Sequence, residues 1–159
     1  MSASKLRTEL KKKRPFELPE EEAVLNLFRT TDRLDIQFKR LFREYGLTGP
    51  QYNILRILRG EAEPLPILEI GSRMLTAVPA ITGLIDRLEE AGFVTRTRCE
   101  QDRRVVYIAA TDKALKLLAQ VDEPIRQLHR NLAGHMTKSE LTELSRLLEK
   151  LRSAGTDDG

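Results

Sequence analysis

The chain has 159 residues, of which 32% are charged and 5% aromatic, with no tryptophan and a formal net charge of +3. This length fits one domain, or one domain with a dimerisation extension, and the composition is typical of a helical protein with an aliphatic core. A single cysteine excludes an intramolecular disulfide framework. No apolar run approaches ~18 residues and no signal-peptide pattern opens the chain, so we expect a cytoplasmic protein without a membrane span.

Basic and acidic residues are segregated along the chain. This distribution is a stronger indication of a polarised surface than the small net charge is of nucleic-acid binding. Basic residues cluster at 5–14 and again at 96–104, and acidic residues gather at 17–22 and in the C-terminal tail. Residues 1–19 combine the first basic cluster with two prolines and show little periodicity. We therefore predict a mostly disordered, flexible basic arm over 1–19, either a solvated tail or an arm that touches phosphates.

Residues 20–46 predict one long amphipathic helix that Gly46 ends, because apolar positions recur at steps of three and four. A helix of this length spans about 38 Å, more than one compact domain could cover. We therefore predict that a partner subunit covers the apolar stripe. The alternative is packing only against the chain's own C-terminal helices. The stripe comprises Val24, Leu27, Phe28, Thr31, Leu34, Phe38, Leu41, Phe42 and Tyr45.

The next three helices follow the plan of a helix-turn-helix. Thr48 and Gln51 form a capping box at the start of the first. Residues 66–74 predict a short helix, followed by a turn and by a second helix that Thr76 caps and Gly92 ends. A short helix, a tight turn and a second helix place the second helix where it can enter a DNA groove.

Two strands joined by a charged turn follow, at 93–98 and 105–108. The exposed part of the preceding helix is small and uncharged, whereas the hairpin is rich in arginine. A slim helix followed by an arginine-tipped hairpin suits a major groove and its flanking minor groove. The candidate DNA contacts are Ala77, Pro79, Ala80, Thr82 and Gly83 on the helix, and Arg87, Arg96, Arg98, Arg103 and Arg104 around it. The alternatives are close packing of the small face on the previous helix and solvated charges that protect an edge hairpin from aggregation.

Residues 76–108 resemble the winged helix-turn-helix of the MarR family of bacterial transcription regulators. The resemblance rests on the run Asp86–Val94, on the Asp102-Arg103-Arg104 turn, and on Thr82 and Thr111, and it extends over roughly 20–150. It implies a mainly α-helical fold with a small β-hairpin wing. An arginine at a hairpin tip can enter a narrow minor groove, and the resemblance implies this role for Arg104, with Asp102 bracing the wing through a bond to an arginine.

Two helices complete the chain. Thr111 caps the first, which Pro124 should bend, and Thr137 with Glu140 forms a capping box for the second. The predicted organisation is a basic arm at 1–19, a dimerisation helix at 20–46, a winged helix-turn-helix DNA-binding lobe at 47–110, C-terminal dimerisation helices at 111–153, and a tail at 154–159.

Reactive chemistry is sparse. Cys99 opens the wing turn, where it is either a redox sensor or an incidental thiol. His129 and His135 lack the spacing of a metal site. No phosphate-binding loop and no pairing of nucleophile with base is present, so we predict no catalytic residue, no metal or other cofactor, and no enzyme activity.

In proteins that this chain resembles, small aromatic molecules bind between the dimerisation helices and the DNA-binding lobe. The candidate lining residues are Phe38, Phe42, Tyr45 and Tyr52. Their alternative role is ordinary core packing.

The sequence therefore predicts a homodimeric transcription regulator that binds double-stranded DNA. We expect repression at a pseudo-palindromic site whose half-sites lie about 10 base pairs apart, with release by a small aromatic effector. The alternatives are a winged-helix protein-interaction module that does not bind DNA and a regulator that senses oxidants through Cys99. The sequence predicts neither the operator nor the effector.

Overall fold

The computed structural model describes residues 4–154. In that range the helices and strands are α1 (Lys5–Glu9), α2 (Pro19–Glu44), α3 (Gly49–Glu61), β1 (Leu65–Pro66), α4 (Ile67–Ser72), α5 (Ile81–Glu90), β2 (Val94–Arg98), β3 (Val106–Ala110), α6 (Asp112–Ala133) and α7 (Lys138–Ser153). The predicted fold class, mainly helical with a small β wing, is confirmed. Among the helices of this range, none is both long and apolar enough to cross a membrane.

The wing is part of a three-stranded antiparallel sheet in the order β1-β3-β2. Val94 pairs with Ala110 and Arg98 with Val106, so the hairpin is in register from its base to the turn. The sequence did not predict β1, in which Leu65 pairs with Ile108. Two residues cannot show an alternating pattern, and Pro66 is tolerated there because β1 is an edge strand.

A single aliphatic core joins the helix-turn-helix to the sheet and to α6. Its fully buried side chains include Ile54 of α3, Ile70 of α4, Ile85 of α5 and Ile108 of β3. The first half of α6 closes this core with Ala114, Leu118 and Val121. The core therefore fixes α5 and the wing relative to each other.

The predicted helix signals are mostly confirmed. The capping boxes of Thr48 with Gln51 and of Thr137 with Glu140 are both present. Gly92 ends α5 with a φ of +76°, the left-handed conformation that glycine tolerates best. The helix α6 continues through Pro124 as one element.

The prediction of a mostly disordered arm at 1–19 is wrong for residues 5–9, which form α1. Ser4 caps this helix by accepting a hydrogen bond from the N–H of Arg7, and Leu6 is buried. Glu9 lies 3.8 Å from Arg29 and 3.6 Å from Arg33 of α2. Five residues are too few for helical periodicity to appear in the sequence. The contacts of α1 with the rest of the chain therefore determine whether this helix forms. Residues 1–3 and 155–159 of the predicted arm and tail lie outside the described residues.

The long helix α2 is only partly covered by its own chain. Its C-terminal end packs on α3 and α6, where the rings of Phe42 and Tyr52 lie 4.6 Å apart. Towards its N-terminus the stripe is open, and Phe28 keeps 66% of its surface exposed. The helix α7 has no buried residue and exposes Leu144, Leu147 and Leu151. Within residues 4–154, the C-terminal helices thus leave much of the stripe uncovered. This observation disfavours the alternative that the stripe packs only against the chain's own C-terminal helices.

Candidate nucleic-acid interface

The helix expected to face DNA is shorter than predicted. The helix α5 begins at Ile81, after an Ala80 N-cap that supplies no side-chain hydrogen bond, so the predicted Thr76 cap is wrong. Proline disfavours a helical conformation for the residue before it, so Val78 stays outside the helix and the helix cannot begin before Pro79. Of the five small residues predicted to contact DNA, only Thr82 and Gly83 are helical. Ala77, Pro79 and Ala80 form the turn that leads into α5, and all five are exposed.

A buried asparagine holds this turn. The side chain of Asn53 in α3 accepts a hydrogen bond from the N–H of Leu75 at 2.7 Å. Asn53 is 7% exposed and is the only polar residue that is buried within residues 4–154. Its signal in the sequence is an amide next to Ile54 and Leu55, on the apolar side of α3. The prediction missed it because nothing in the sequence links α3 to a turn 22 residues away.

The wing is joined to α5 by ion pairs. The guanidinium of Arg96 in β2 contacts the carboxylate of Asp86 and donates to Glu89 at 3.0 Å. Both acids lie on α5. The charge of Arg96 is thereby engaged within the lobe. Its role as a phosphate contact stays a prediction, and in the single chain Arg96 acts as a strut between the wing and α5.

The wing tip is closed by Asp102, but not in the predicted way. Its carboxylate accepts a hydrogen bond from the backbone N–H of Arg104 at 3.0 Å rather than from an arginine side chain. This is an Asx-turn, in which the side-chain oxygen of an aspartate accepts a hydrogen bond from the backbone N–H two residues further along the chain. The N–H of Val105 also donates to the carbonyl of Asp102, and the N–H of Cys99 to that of Val105. Asp102 thus shapes the turn and leaves the side chain of Arg104 unbound.

Four of the five predicted arginines keep an unpaired charge. Among residues 4–154, no carboxylate lies within ion-pair distance of Arg87, Arg98, Arg103 or Arg104, and all four are exposed. Arg98 shares a cavity of about 330 Å³ between α5 and the sheet with Thr82, Arg96, Ile67 and Val106. Thr82 and a free guanidinium therefore face the same concave surface. The arrangement offers a small, uncharged helix end beside several unpaired cations.

The lobe is tied to α6 by one bidentate ion pair. The guanidinium of Arg59 in α3 donates to both carboxylate oxygens of Asp122, at 2.9 Å each. These hydrogen bonds raise the pKa of Arg59. The two residues are 63 positions apart, so sequence spacing gives no sign of the pair.

Of the four residues predicted to line an effector pocket, Tyr52 lies near this pair and interacts with both of its charges. The rings of Phe38 and Phe42 are 6.1 Å apart, and Phe42 stacks on Tyr52. Burial raises the pKa of the Tyr52 hydroxyl. Tyr45 is half-buried and packs against the same core. In the single chain these rings fill one another's space, as the core-packing alternative expects, and their role as a ligand site stays a prediction.

The remaining reactive residues are dispersed. Cys99 is half-buried at the start of the wing turn, near Arg98 and Arg103. His129 and His135 are exposed, and the ring of His129 lies 5.2 Å from that of Phe38. Within the described part of the chain, no group of three or more His, Cys, Asp or Glu residues could hold a metal ion.

The chain is similar in sequence and structure to known transcriptional regulators. The model of the MarR family matches residues 47–106, which span the helix-turn-helix and the wing. The chain is 30% identical over 127 residues to the HTH-type transcriptional regulator PecS of Dickeya dadantii, which covers 79% of the chain and 76% of PecS. It is 27% identical over 118 residues to the homoprotocatechuate degradative operon repressor of Escherichia coli, covering 74% of the chain and 79% of that repressor. The crystal structure of a MarR transcription factor from Planctomyces limnophilus is 44% identical, covers 84% of the chain and 98% of its own, and superposes with a TM-score of 0.67.

Proposed function

The chain belongs to the MarR family of DNA-binding transcriptional regulators, and we propose that it acts as a homodimeric repressor whose two lobes bind adjacent half-sites of one operator. The observation that carries the proposal is the pairing of an exposed, uncharged end of α5 with unpaired arginines on the wing. The related proteins described above are named as transcriptional regulators, which favours regulation over catalysis.

The dimer is proposed from the uncovered apolar surface of α2 and α7. Phe28 on α2 and the exposed leucines of α7 lie on helices that bury little against their own chain. Apolar patches of this kind on a soluble protein mark interaction sites. A second copy would bury both faces at once, since a two-fold axis presents the same patches on each subunit.

The DNA contacts are proposed from exposure and charge. The turn at Ala77–Ala80 and the helix start at Thr82 and Gly83 would enter the major groove, where small side chains can contact thymine methyl groups. Arg104 would enter the flanking minor groove, and Arg87, Arg98 and Arg103 would contact phosphates. Two such lobes related by a two-fold axis would bind half-sites about 10 base pairs apart.

Repression and its relief follow from the same geometry. A dimer that covers a promoter blocks access to it. A ligand that prefers one spacing of the two lobes shifts the equilibrium between bound and free protein. The relative from Escherichia coli is named as a repressor of an operon for degrading homoprotocatechuate, an aromatic acid. We infer that a small aromatic molecule relieves repression here as well, bound between the dimerisation helices and the lobe near Phe38 and Tyr52.

The test is a salt titration of binding to the DNA upstream of the protein's own coding region, against scrambled DNA of equal length. We expect binding at physiological salt that is roughly a thousandfold tighter for the native sequence. Arg104→Ala should abolish this preference. Equal affinities for both DNAs across all salt concentrations would contradict the proposal for that operator.

The matched control is Arg126→Ala, which removes an exposed arginine from α6. Sedimentation should give both variants about twice the chain mass of 18.2 kDa. A mass near that of one chain at micromolar concentration would overturn the dimer.

A further inference from the structure

The end of α5, the proposed recognition helix, is closed by a Schellman motif. The N–H of Phe93 donates to the carbonyl of Leu88 at 2.8 Å, and the N–H of Gly92 donates to that of Glu89 at 2.9 Å. Gly92 takes the left-handed conformation that this motif requires, with a φ of +76°. The motif uses carbonyls inside the last turn of α5, so the carbonyls of residues 91–93 take their hydrogen bonds from another element.

The start of α6 donates a hydrogen bond to each of these carbonyls. The ammonium group of Lys113 donates to the carbonyl of Ala91 at 2.6 Å. The hydroxyl of Thr111 donates to the carbonyl of Gly92 at 2.7 Å, and the backbone N–H of Thr111 donates to that of Phe93 at 3.0 Å. We call these bonds the α5–α6 joint. They fix the segment between α5 and β2 to the start of α6.

Lys113 contributes the charged donor of the α5–α6 joint. Its ammonium group also lies 4.7 Å from the centre of the Phe93 ring, a distance at which a cation is attracted to the aromatic face. Within residues 4–154 no carboxylate forms an ion pair with Lys113. Its charge is therefore directed at the C-terminal end of α5, where the helix dipole favours a cation.

The α5–α6 joint is distant from the part of α5 that is proposed to meet DNA. That part is the helix start at Thr82 and Gly83, whereas Ala91 follows the last residue of the helix. The 10 residues of α5 span about 15 Å. While it is bonded to Ala91, Lys113 therefore cannot contact the bases that face Thr82.

We propose that Lys113 is a positioning residue for sequence recognition. The core holds α5 through the buried side chains of Ile85 and Leu88, which leaves the tilt of the helix to be set at its ends. The bond from Lys113 to Ala91 fixes the C-terminal end and thereby aims the N-terminal end into the major groove. Contacts to bases need this alignment, whereas contacts to phosphates carry no sequence information. This inference rests on the proposed function.

The test compares Lys113→Met with Lys113→Arg in the full-length protein. Duplexes that the wild type prefers are first selected from a random DNA library. Fluorescence anisotropy then gives the affinity for a selected duplex and for a scrambled duplex of equal length. Lys113→Met should lose about tenfold of the preference for the selected duplex, the order expected when each lobe loses one hydrogen bond. Its affinity for scrambled DNA and the salt slope of that affinity should not change.

Lys113→Arg should keep most of the preference, because a guanidinium can donate to the same carbonyl. The matched control is Lys116→Met, which removes another exposed lysine of α6 that forms no hydrogen bond or ion pair within residues 4–154. It should bind both duplexes as the wild type does. Both methionine variants should fold, since both lysines are exposed. If thermal melting shows that Lys113→Met does not fold, Lys113→Gln takes its place.

Several outcomes would overturn the positioning role. An unchanged preference in Lys113→Met, or an equal loss in Lys113→Arg or in Lys116→Met, would show that the bond to Ala91 does not set recognition. A smaller salt slope in Lys113→Met would make Lys113 a phosphate contact instead. A wild type that selects no duplex would reject the proposed function together with this inference, and that result is seen before any variant is measured.

Discussion

The side-chain oxygen of Asn53 accepts a hydrogen bond from the backbone N–H of Leu75 at 2.7 Å, and this bond joins α3 to the turn before α5. The side chain of Leu75 itself points to solvent, with 87% of its surface exposed. Core packing therefore does not hold this part of the turn. The buried amide of Asn53 thus helps to position the residues that lead into α5, between Met74 and Ile81, which pack against the core.

We predict that Asn53→Ala lowers the free energy of unfolding by about 1–2 kcal/mol, because the N–H of Leu75 loses its partner. Hydrogen exchange at the Leu75 amide should accelerate. The amide of Ala114, which donates to the Thr111 hydroxyl, serves as an internal reference and should exchange as before. Unfolding must be compared at one protein concentration, since a dimer's stability depends on it. Unchanged exchange at Leu75 would show that the bond does not hold the turn.

A second prediction concerns the pair between Arg59 and Asp122, which links the DNA-binding lobe to α6. A double-mutant cycle with Arg59→Ala and Asp122→Ala should give a coupling energy of about 1 kcal/mol. The bidentate geometry favours a larger value, but the side chains keep 34% and 29% of their surface in solvent, which screens the charges.

The control cycle uses Glu123 and Arg126, a pair on the outer surface of α6 whose side chains are 63% and 61% exposed. Its coupling energy should be at most about 0.5 kcal/mol. Equal coupling energies in the two cycles would mean that the link to the lobe adds no stability beyond an ordinary surface pair.

The third prediction separates two arginines that are two residues apart on β2. Arg98 is unpaired, so Arg98→Gln should lower the slope of log affinity against log salt by about 1 for each subunit that contacts DNA. The charge of Arg96 is already balanced by Asp86 and Glu89. Arg96→Gln should therefore weaken operator binding through a looser wing and leave the salt slope unchanged. The measurement is fluorescence anisotropy at several salt concentrations, and equal slope changes for both variants would contradict the assignment of Arg96 as a strut.

The contrast between Arg96 and Arg98 shows where sequence-based prediction stops. Helix ends were predictable because their causes are local: Thr48 needs only Gln51, and the φ of Gly92 needs only glycine. The two arginines look alike in the sequence, and only the approach of α5 to β2 distinguishes them. The strand β1 was missed for the same reason, since Leu65 forms a strand only because Ile108 lies beside it.

Pro79 shows that a local rule can also be misapplied. Proline is common in the first turn of a helix, and on that basis the recognition helix was predicted to start near Thr76. The competing rule, that proline keeps the preceding residue out of the helical region, prevails here, and α5 starts at Ile81. The effect is functional as well as structural. Three of the five small residues expected on a helix face lie instead in a turn, which Asn53 helps to position.

The last prediction concerns pH and the capping box of α7. The carboxylate of Glu140 accepts hydrogen bonds from the backbone N–H of Thr137 at 2.8 Å and from its hydroxyl at 2.9 Å. These bonds, the backbone one first, lower the pKa of Glu140, because they stabilise the charged form. The pKa of Glu140 is lower in the folded than in the unfolded protein, so the ionised carboxylate stabilises the fold. This stabilisation is fully present above the usual pKa of a glutamate, about 4.3. It is lost as the pH falls through the lowered value.

We therefore expect the Thr137 amide resonance to titrate below the usual range of a glutamate, with a lower protection factor against hydrogen exchange at the acidic end. Glu140→Gln is the matched variant, since glutamine also completes a capping box but does not ionise. In that variant the box should persist and the titration at Thr137 should disappear. Glu143 and Glu123 also have lowered pKa values, because of hydrogen bonds from Arg146 and Arg126, so global unfolding would mix several groups. The amide resonance of Thr137 reports on Glu140 alone, because its N–H donates directly to that carboxylate. If this resonance still titrated in Glu140→Gln, another group would be responsible for its pH dependence.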